Sequence, residues 1–263
     1  REENPRCFLI MNITVLTNKD SLYGKKIILD LVESGLAMSI VVINQSLPFK
    51  LKLFRSVAKK VGWVDTFRLA LKQIRDNKNE YKKISKEKPK LLKDYSQFCK
   101  NIAFSNGTNS LETEYALQKF KTDLLILGQA GIVKQNILQI PKIGTLNGHP
   151  GILPFYRGVD CPHWAILNGE FDKIGASVHW VDQGVDTGKI IATENFSVKG
   201  VKDVSILEGK IYTLCSQMLA KIALDFEKGN YPKGTLQFLK DGKQYYKMPF
   251  EKLNALKAIL EPL

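Results

Sequence analysis

Asp123-Leu124-Leu125-Ile126-Leu127-Gly128-Gln129-Ala130-Gly131 is the stretch on which the fold turns. Four consecutive large apolar residues leave no polar face, as expected of a parallel-sheet strand covered on both sides. Gly128 and Gly131 then mark where the chain leaves the strand end. Upstream, Ile13 to Leu16 and the apolar run Ala37 to Ile43 read as strands, with Ile102 to Phe104 as a third. A turn at Asn18-Lys19-Asp20 caps a helical pattern from Tyr23 to Glu33, which Gly35 ends. A second helix opens at Asn109-Ser110 and runs to Phe120, a third lies near Lys134 to Leu138, and Ile143 to Asn147 is the next strand.

This alternation predicts an α/β fold: a Rossmann-like, mostly parallel sheet with helices on both faces. Ligands in such sheets sit beyond the carboxyl ends of the strands. Gly128 to Gly131 and Asn147-Gly148-His149 both lie at such ends. Further on, Ser177 to Val181 and Lys189 to Phe196 read as strands joined by the polar loop Asp182 to Gly188. Ser205 with Glu208 has the form of a capping box, and Leu207, Ile211, Leu214, Met218 and Ile222 make one apolar helix face ending at Gly229 and Pro232. The rest reads as a strand from Thr235 to Leu239, an Asp241-Gly242 hairpin turn, a strand through Tyr245-Tyr246, and a short helix from Glu251. The expected organisation is a catalytic domain over 1–200 with a basic insert at about 50–100. A C-terminal helix, β-hairpin and short helix follow over 201–263.

The 263 residues carry 39 basic and 26 acidic side chains, a net charge of +13. From Lys50 to Lys100 there are sixteen basic and five acidic residues, so the insert alone carries +11 and the remaining chain only +2. Such a surface suits a polyanion, but it is equally the solvated side of an amphipathic helix. Val57, Val61, Val64, Phe67, Leu71 and Ile74 recur at helical spacing, which favours the second view. The lysine-rich stretch Asn77 to Lys93 reads as a loop or linker helix. No apolar run is long enough to span a bilayer. The four scattered cysteines have no C-x-x-C pair, which argues against a zinc site and for a reducing, cytoplasmic setting. Phe250, Leu253 and Leu256 are candidate contacts for a homodimer.

Only three histidines are present. His179 sits within an expected strand and His163 in the first turn of an expected helix, and both read as structural. His149 differs. It follows Asn147 by two positions at a strand end, and residues i and i+2 of an extended segment share a face, so the two can converge on one atom.

These residues belong to a longer pattern: Asn147-Gly148-His149-Pro150-Gly151-Ile152-Leu153-Pro154, Arg157-Gly158, Gly175-Ala176-Ser177-Val178-His179 and Asp182-Gln183-Gly184-Val185-Asp186-Thr187-Gly188. It resembles the folate-dependent formyltransferases, closely over Asp123 to Phe196 and in general outline over the first strand and helix. The resemblance implies a 10-formyltetrahydrofolate donor used as co-substrate and an amine acceptor. It puts Asn147, His149 and Asp186 in the catalytic roles, with no metal. It also implies a pterin slot between Gln129-Ala130-Gly131-Ile132-Val133 and Val181 to Val185. Ile132, Val133 and Val181 would line that slot, and Asp182, Gly184 and Val185 belong to its second wall. Tyr156 and Arg157 are expected at the acceptor rim, where Arg157 could meet a phosphate.

The chemistry fits those residue types. An amine attacking a formyl carbon creates an oxyanion, and an amide such as that of Asn147 is an uncharged donor for it. His149 can move protons near neutral pH. Asp186 can orient the imidazole and raise its pKa, or hold a relaying water. The turn after the first strand, Thr17-Asn18-Lys19-Asp20-Ser21, lacks the glycines of the glycinamide ribonucleotide branch. Some 34 residues after Gly229 are too few for the barrel domain of the methionyl-tRNA branch. The tail Gln237 to Pro249, with Gly242, Tyr245 and Tyr246, resembles more the ending of the nucleotide-sugar N-formyltransferases, and that resemblance implies a nucleoside diphosphate amino sugar as acceptor, with nucleic acid disfavoured. Those two branches, a formyltetrahydrofolate hydrolase and a non-catalytic basic RNA-binding module are the alternatives.

Overall fold

The computed structural model describes residues 11–44, 47–71, 74–75, 94–201 and 203–260. Asn77 to Lys93 and the ten residues before Met11 lie outside them. A seven-stranded sheet forms the centre, in the order β3-β2-β1-β4-β5-β7-β8. Its parallel part contains β1 (Ile13–Asn18), β2 (Met38–Ile43), β3 (Ile102–Ser105), β4 (Leu124–Gly128) and β5 (Gly144–His149). β7 (Gly175–Trp180) and β8 (Ile190–Asn195) extend one side antiparallel. Strand order reverses beside β1, so the carboxyl ends of β1, β4 and β5 open onto a crevice. The registers Thr17↔Gly128 and Leu127↔Asn147 bring those ends level.

The two sheet faces are packed by different helices. Ile27, Ile28 and Leu31 of α1 (Leu22–Glu33) are fully buried on one face. They are joined there by Leu207, Ile211, Leu219 and Phe226 of the long helix Val204–Glu227. On the other face Leu16, Val41, Leu125 and Leu127 pack against Ala116 and Leu117 of the helix Leu111–Lys119. Every large residue of β4 is buried, as the absence of a polar face in its sequence requires. Gly24 of α1 and Gly128 of β4 meet so closely that a Cβ on Gly128 would lie 2.9 Å from the Gly24 Cα.

Four expectations need correction. The long helix begins at Val204, one residue before Ser205. Its cap is Asp203, whose side chain accepts from the Ser205 N–H; Ser205 itself lies inside the first turn. In the insert, helix runs over Leu47–Val61 and again over 63–71, interrupted at Gly62 with φ 87°. That left-handed residue resets the helical phase. Ala58, Thr66 and Leu69 are buried, while Val64, Phe67, Leu71 and Ile74 face outward.

The C-terminal hairpin does not form. Lys243–Tyr245 (β9) instead pairs in parallel with Tyr156–Gly158 (β6), a short strand not foreseen, and Thr235 makes only a single bridge to Ile190. Gly242 is extended at φ −142°, ψ 174°, a geometry no tight hairpin turn uses. Its role is close approach, since a Cβ there would stand 1.8 Å from the Pro154 carbonyl oxygen. Finally, Leu253 and Leu256 of the last helix, Phe250–Leu260, are buried in the protein's own core, and Phe250 is half-buried against it. They are not exposed for a partner.

The tail is bolted to 156–168 by several contacts. Tyr245 stacks on Tyr156 at 4.9 Å, Trp164 Nε1–H donates to the Tyr246 carbonyl at 2.8 Å, and Asp160 accepts from Lys247 Nζ at 2.9 Å and the Met248 N–H at 2.8 Å. Gly242→Ala forces the backbone of 154–155 and the tail apart. It should lower unfolding free energy by about 1–3 kcal/mol, the usual cost of overpacking, read from the urea midpoint. A variant as stable as the parent would show that this close approach is not real.

Candidate active site

The crevice gathers side chains from β5, β7 and the 182–188 loop. Gly148 faces α1 and the long helix: a Cβ there would sit 2.5 Å from Tyr23 Oη and 2.9 Å from Leu219. Asn147 and His149, one residue to either side, therefore project from the opposite face. The antiparallel register sets Asn147 opposite His179, and their side chains meet, Asn147 Nδ2 to His179 Nε2 at 3.2 Å. His179 Nδ1 lies 2.7 Å from the Trp180 carbonyl, which accepts only from a protonated nitrogen. Its Nε2 is thus the acceptor, and the amide nitrogen of Asn147 must face it. One of the two amide hydrogens is used there and the other is left for a ligand.

His149 is 2% exposed and almost completely enclosed. Its Nε2–H donates to the Tyr156 carbonyl at 2.7 Å, so the basic nitrogen is Nδ1. Asp186 Oδ2 lies 3.5 Å from that Nδ1, and Asp186 Oδ1 lies 3.5 Å from His179 Nε2. Gly158 N–H donates to Asp186 Oδ2 at 2.8 Å. Asp186 itself adopts the left-handed conformation at φ 53°, uncommon for a side chain other than Asn, Asp or Gly. Asn147, His149 and Asp186 thus come together, and His179 joins them.

Burial pushes the His149 pKa down, and the Asp186 charge opposes that only in part, so the ring is neutral near pH 7. Burial alone would raise the Asp186 pKa. The neighbouring His149 and His179 imidazoles and the bond from the Gly158 N–H outweigh it and hold the carboxyl well below the usual range. The pair is therefore an anion beside an unprotonated imidazole, and a proton arriving at Nδ1 meets a fixed counter-charge.

The two expected donor-binding segments lie side by side, and Gln183 of the second donates from Nε2 to Gln135 Oε1, two residues beyond the first, at 2.9 Å. The first is held by side chains that take its carbonyls: Asn18 to Gln129, Thr108 to Ala130, and Asn109 to Ile132 at 2.9 Å. Gln129 and Gly131 have φ 61° and 79°, which turn the chain sharply off β4. Ala130 and Val133 are buried, Val181 is half-buried against them, and Ile132 is 75% exposed. In the second segment Asp182 Oδ1 accepts from the Gly184 N–H at 3.0 Å and Thr187 Oγ1 at 2.6 Å, and Val185 is half-buried.

Two of the expected rim residues separate. Tyr156 is 1% exposed, its hydroxyl bonded to Glu170 and Asn168, so it cannot touch an acceptor with its ring. The alternation of β6 turns it inward, and its part in the site is the carbonyl that holds His149. Arg157 is half-buried, with Nε enclosed and lacking a hydrogen-bond partner. His179, read as structural, is a site residue; its place opposite Asn147 follows from an antiparallel register that only strand pairing reveals. His163 pairs with Glu208 at 3.5 Å and lies apart from the group. It forms a cluster with Asp160 and Glu208 in which both Asp160 oxygens already serve the tail.

Residues 11–222 match the family model described as formyl transferase, and the chain belongs to that family. Among curated proteins it is 29% identical over 118 residues to the methionyl-tRNA formyltransferase of Syntrophus aciditrophicus, covering 44% of this chain and 38% of that protein. It is 31% identical over 126 residues to that of Methylacidiphilum infernorum, covering 48% and 39%. The chain thus aligns with about two fifths of the length of these relatives. Among solved structures, its fold is similar to a 4-N formyltransferase from Francisella tularensis, with a TM-score of 0.58, 14% identity and 95% and 88% of the two chains covered. Glycinamide ribonucleotide transformylase 1 from Symbiobacterium toebii gives 0.57, 17% identity and 90% and 98% coverage.

The His149 ring should titrate below the ordinary value of about 6.5, and Asp186→Asn should move it lower still by removing the charge that supports protonation. With three histidines in the chain, imidazole NMR resolves this directly. The sign for stability follows. Below pH 6.5 the unfolded chain binds a proton at His149 before the folded one does, so stability falls as pH drops from 6.5 through the native value. A His149 resonance titrating above 6.5 would overturn the assignment of its environment.

Proposed function

We propose that this protein transfers the formyl group of 10-formyltetrahydrofolate to a primary amine, most specifically the amino group of a sugar carried on a nucleoside diphosphate. The reading rests above all on one observation: at a strand-end crevice Asn147, His179, Asp186 and His149 form a linked series, with successive contacts of 3.2, 3.5 and 3.5 Å.

In the reaction the neutral amine attacks the formyl carbon and a new C–N bond forms. The free Nδ2–H of Asn147 receives the developing oxyanion, and a preorganised donor of this kind is worth about 3 kcal/mol. The amine's proton passes to His149 Nδ1, where Asp186 stabilises the imidazolium. The same proton then goes to the folate nitrogen as its bond to the formyl carbon breaks. The products are the formamide and tetrahydrofolate, with no change of oxidation state. The folate ring is held by main-chain groups of Gln129 to Val133 and Val181 to Val185, with Ile132 and Val181 on its faces.

The amino-sugar acceptor draws support from solved structures of the same fold, which include a sugar N-formyltransferase from Shewanella aligned over 95% of this chain. The half-buried Arg157 guanidinium suits a diphosphate oxygen. The curated relatives favour a second reading, methionyl-tRNA as acceptor, and the +11 insert is compatible with it.

His149→Ala and Asn147→Ala should each lower kcat by about a hundredfold or more while donor affinity is kept, measured by steady-state turnover and folate fluorescence titration. Lost donor binding with intact turnover would reverse the roles. The acceptor is found by mass spectrometry of amine-bearing nucleotide sugars and charged initiator tRNA, looking for a gain of one CO. Formylation of the tRNA alone would overturn the sugar reading.

A further inference from the structure

Asp186 is the one carboxylate in the group formed with Asn147, His149 and His179, yet it stands on a loop in a left-handed backbone conformation at φ 53°. Something must hold the main chain there, because a short polar loop of this kind has little apolar packing of its own. Its carboxylate is held by Gly158, and Gly158 belongs to β6, which the tail strand β9 completes: Gly158 is in register with Tyr245.

A second and separate contact comes from the same tail. Gln237 Nε2 lies 3.0 Å from the Asp186 carbonyl oxygen and 2.6 Å from the Gly188 carbonyl oxygen. Both neighbours are acceptors, so the nitrogen end of the amide must face them, and its two hydrogens satisfy one carbonyl each. The flanking Leu236 and Phe238 are 70% and 68% exposed, whereas Gln237 turns inward. Its Oε1 is buried without a partner, so the two carbonyl bonds, not its own solvation, account for the orientation. The bridge between Thr235 and Ile190, with bonds of 2.7 and 2.8 Å, fixes the tail two residues earlier.

We propose that Gln237 is a positioning residue for the transfer reaction: it clamps the main chain at both ends of the Asp186–Gly188 turn and thereby sets the carboxylate between His149 and His179. The inference rests on the proposed roles of Asp186 and His149. It makes the tail part of the catalytic apparatus and not only its support.

The test uses the full chain with Gln237→Leu, which removes both donors, and Gln237→Glu, which keeps the shape but presents oxygens to two carbonyls above the carboxylate range. Both should lower kcat about tenfold to a hundredfold with the KM for 10-formyltetrahydrofolate changed less than about threefold, assayed on the acceptor found in the screen above. Asp186 and His179 are the titratable neighbours of His149. A displaced Asp186 should therefore move the His149 imidazole titration to lower pH in Gln237→Leu, which adds no charge, and leave His163 unmoved. Turnover within twofold of the parent in both variants, or a parent-like Gln237→Glu beside a poor Gln237→Leu, would overturn the proposal, the latter because space-filling alone would suffice. So would an unmoved His149 titration in the folded Gln237→Leu variant. If the parent turns over no amine at all, the reaction reading fails by itself, and the imidazole shift still decides the positioning role.

Discussion

A buried carboxylate needs partners, and the site is arranged around that requirement. Asp186 is ionised, with the Gly158 N–H on Oδ2 and the ring nitrogens of His149 and His179 each 3.5 Å from one of its oxygens, poised to pair with it once protonated. Taking such a charge out of water costs several kcal/mol unless it is paired and hydrogen-bonded. Each partner here is itself tied down: His149 by the Tyr156 carbonyl, His179 by the Trp180 carbonyl, Gly158 by a strand pairing with the tail. Tautomers follow from those ties without further assumption, and with them the identity of the basic nitrogen.

The sheet contributes geometry and the tail contributes rigidity. Parallel strands β1, β4 and β5 end level, which creates the crevice, and the antiparallel β7 lays His179 across from Asn147. The 182–188 loop then brings Asp186 over the face that Gly148 leaves open by turning toward Tyr23 and Leu219. A lone loop would hold an aspartate loosely. This one is gripped at its carboxylate by Gly158 and at its main chain by Gln237, residues separated by 79 positions and joined only through the folded tail.

The insert remains the most distinctive surface. Its helices meet the tail through Lys60 over the Tyr246 ring at 4.1 Å and Arg68 near Phe250 at 5.9 Å. Part of its positive charge thus contributes to packing, consistent with cations lying over aromatic faces. Among the described residues no helix is long and apolar enough to cross a membrane.

What the sequence by itself determined was set by local rules. The apolar run Leu124 to Leu127 could only be an enclosed strand, and the i, i+2 spacing of Asn147 and His149 put them on one face of another. Gly35 and Gly229, at φ 78° and 82°, end their helices where their positions in sequence suggested. Tertiary structure alone decided the pairings made at long range. Asp241-Gly242 looked like a hairpin turn because turn chemistry is local, yet the partner of β9 lies 87 residues away in β6. Val64, Phe67, Leu71 and Ile74 had the spacing of a buried face, and one left-handed glycine turned them outward. His179, Gln237 and the carbonyl of Tyr156 became site groups only when strand register and a docked tail brought them to Asp186 and His149, because hydrogen-bond partners that are remote in the chain leave no periodic mark in it.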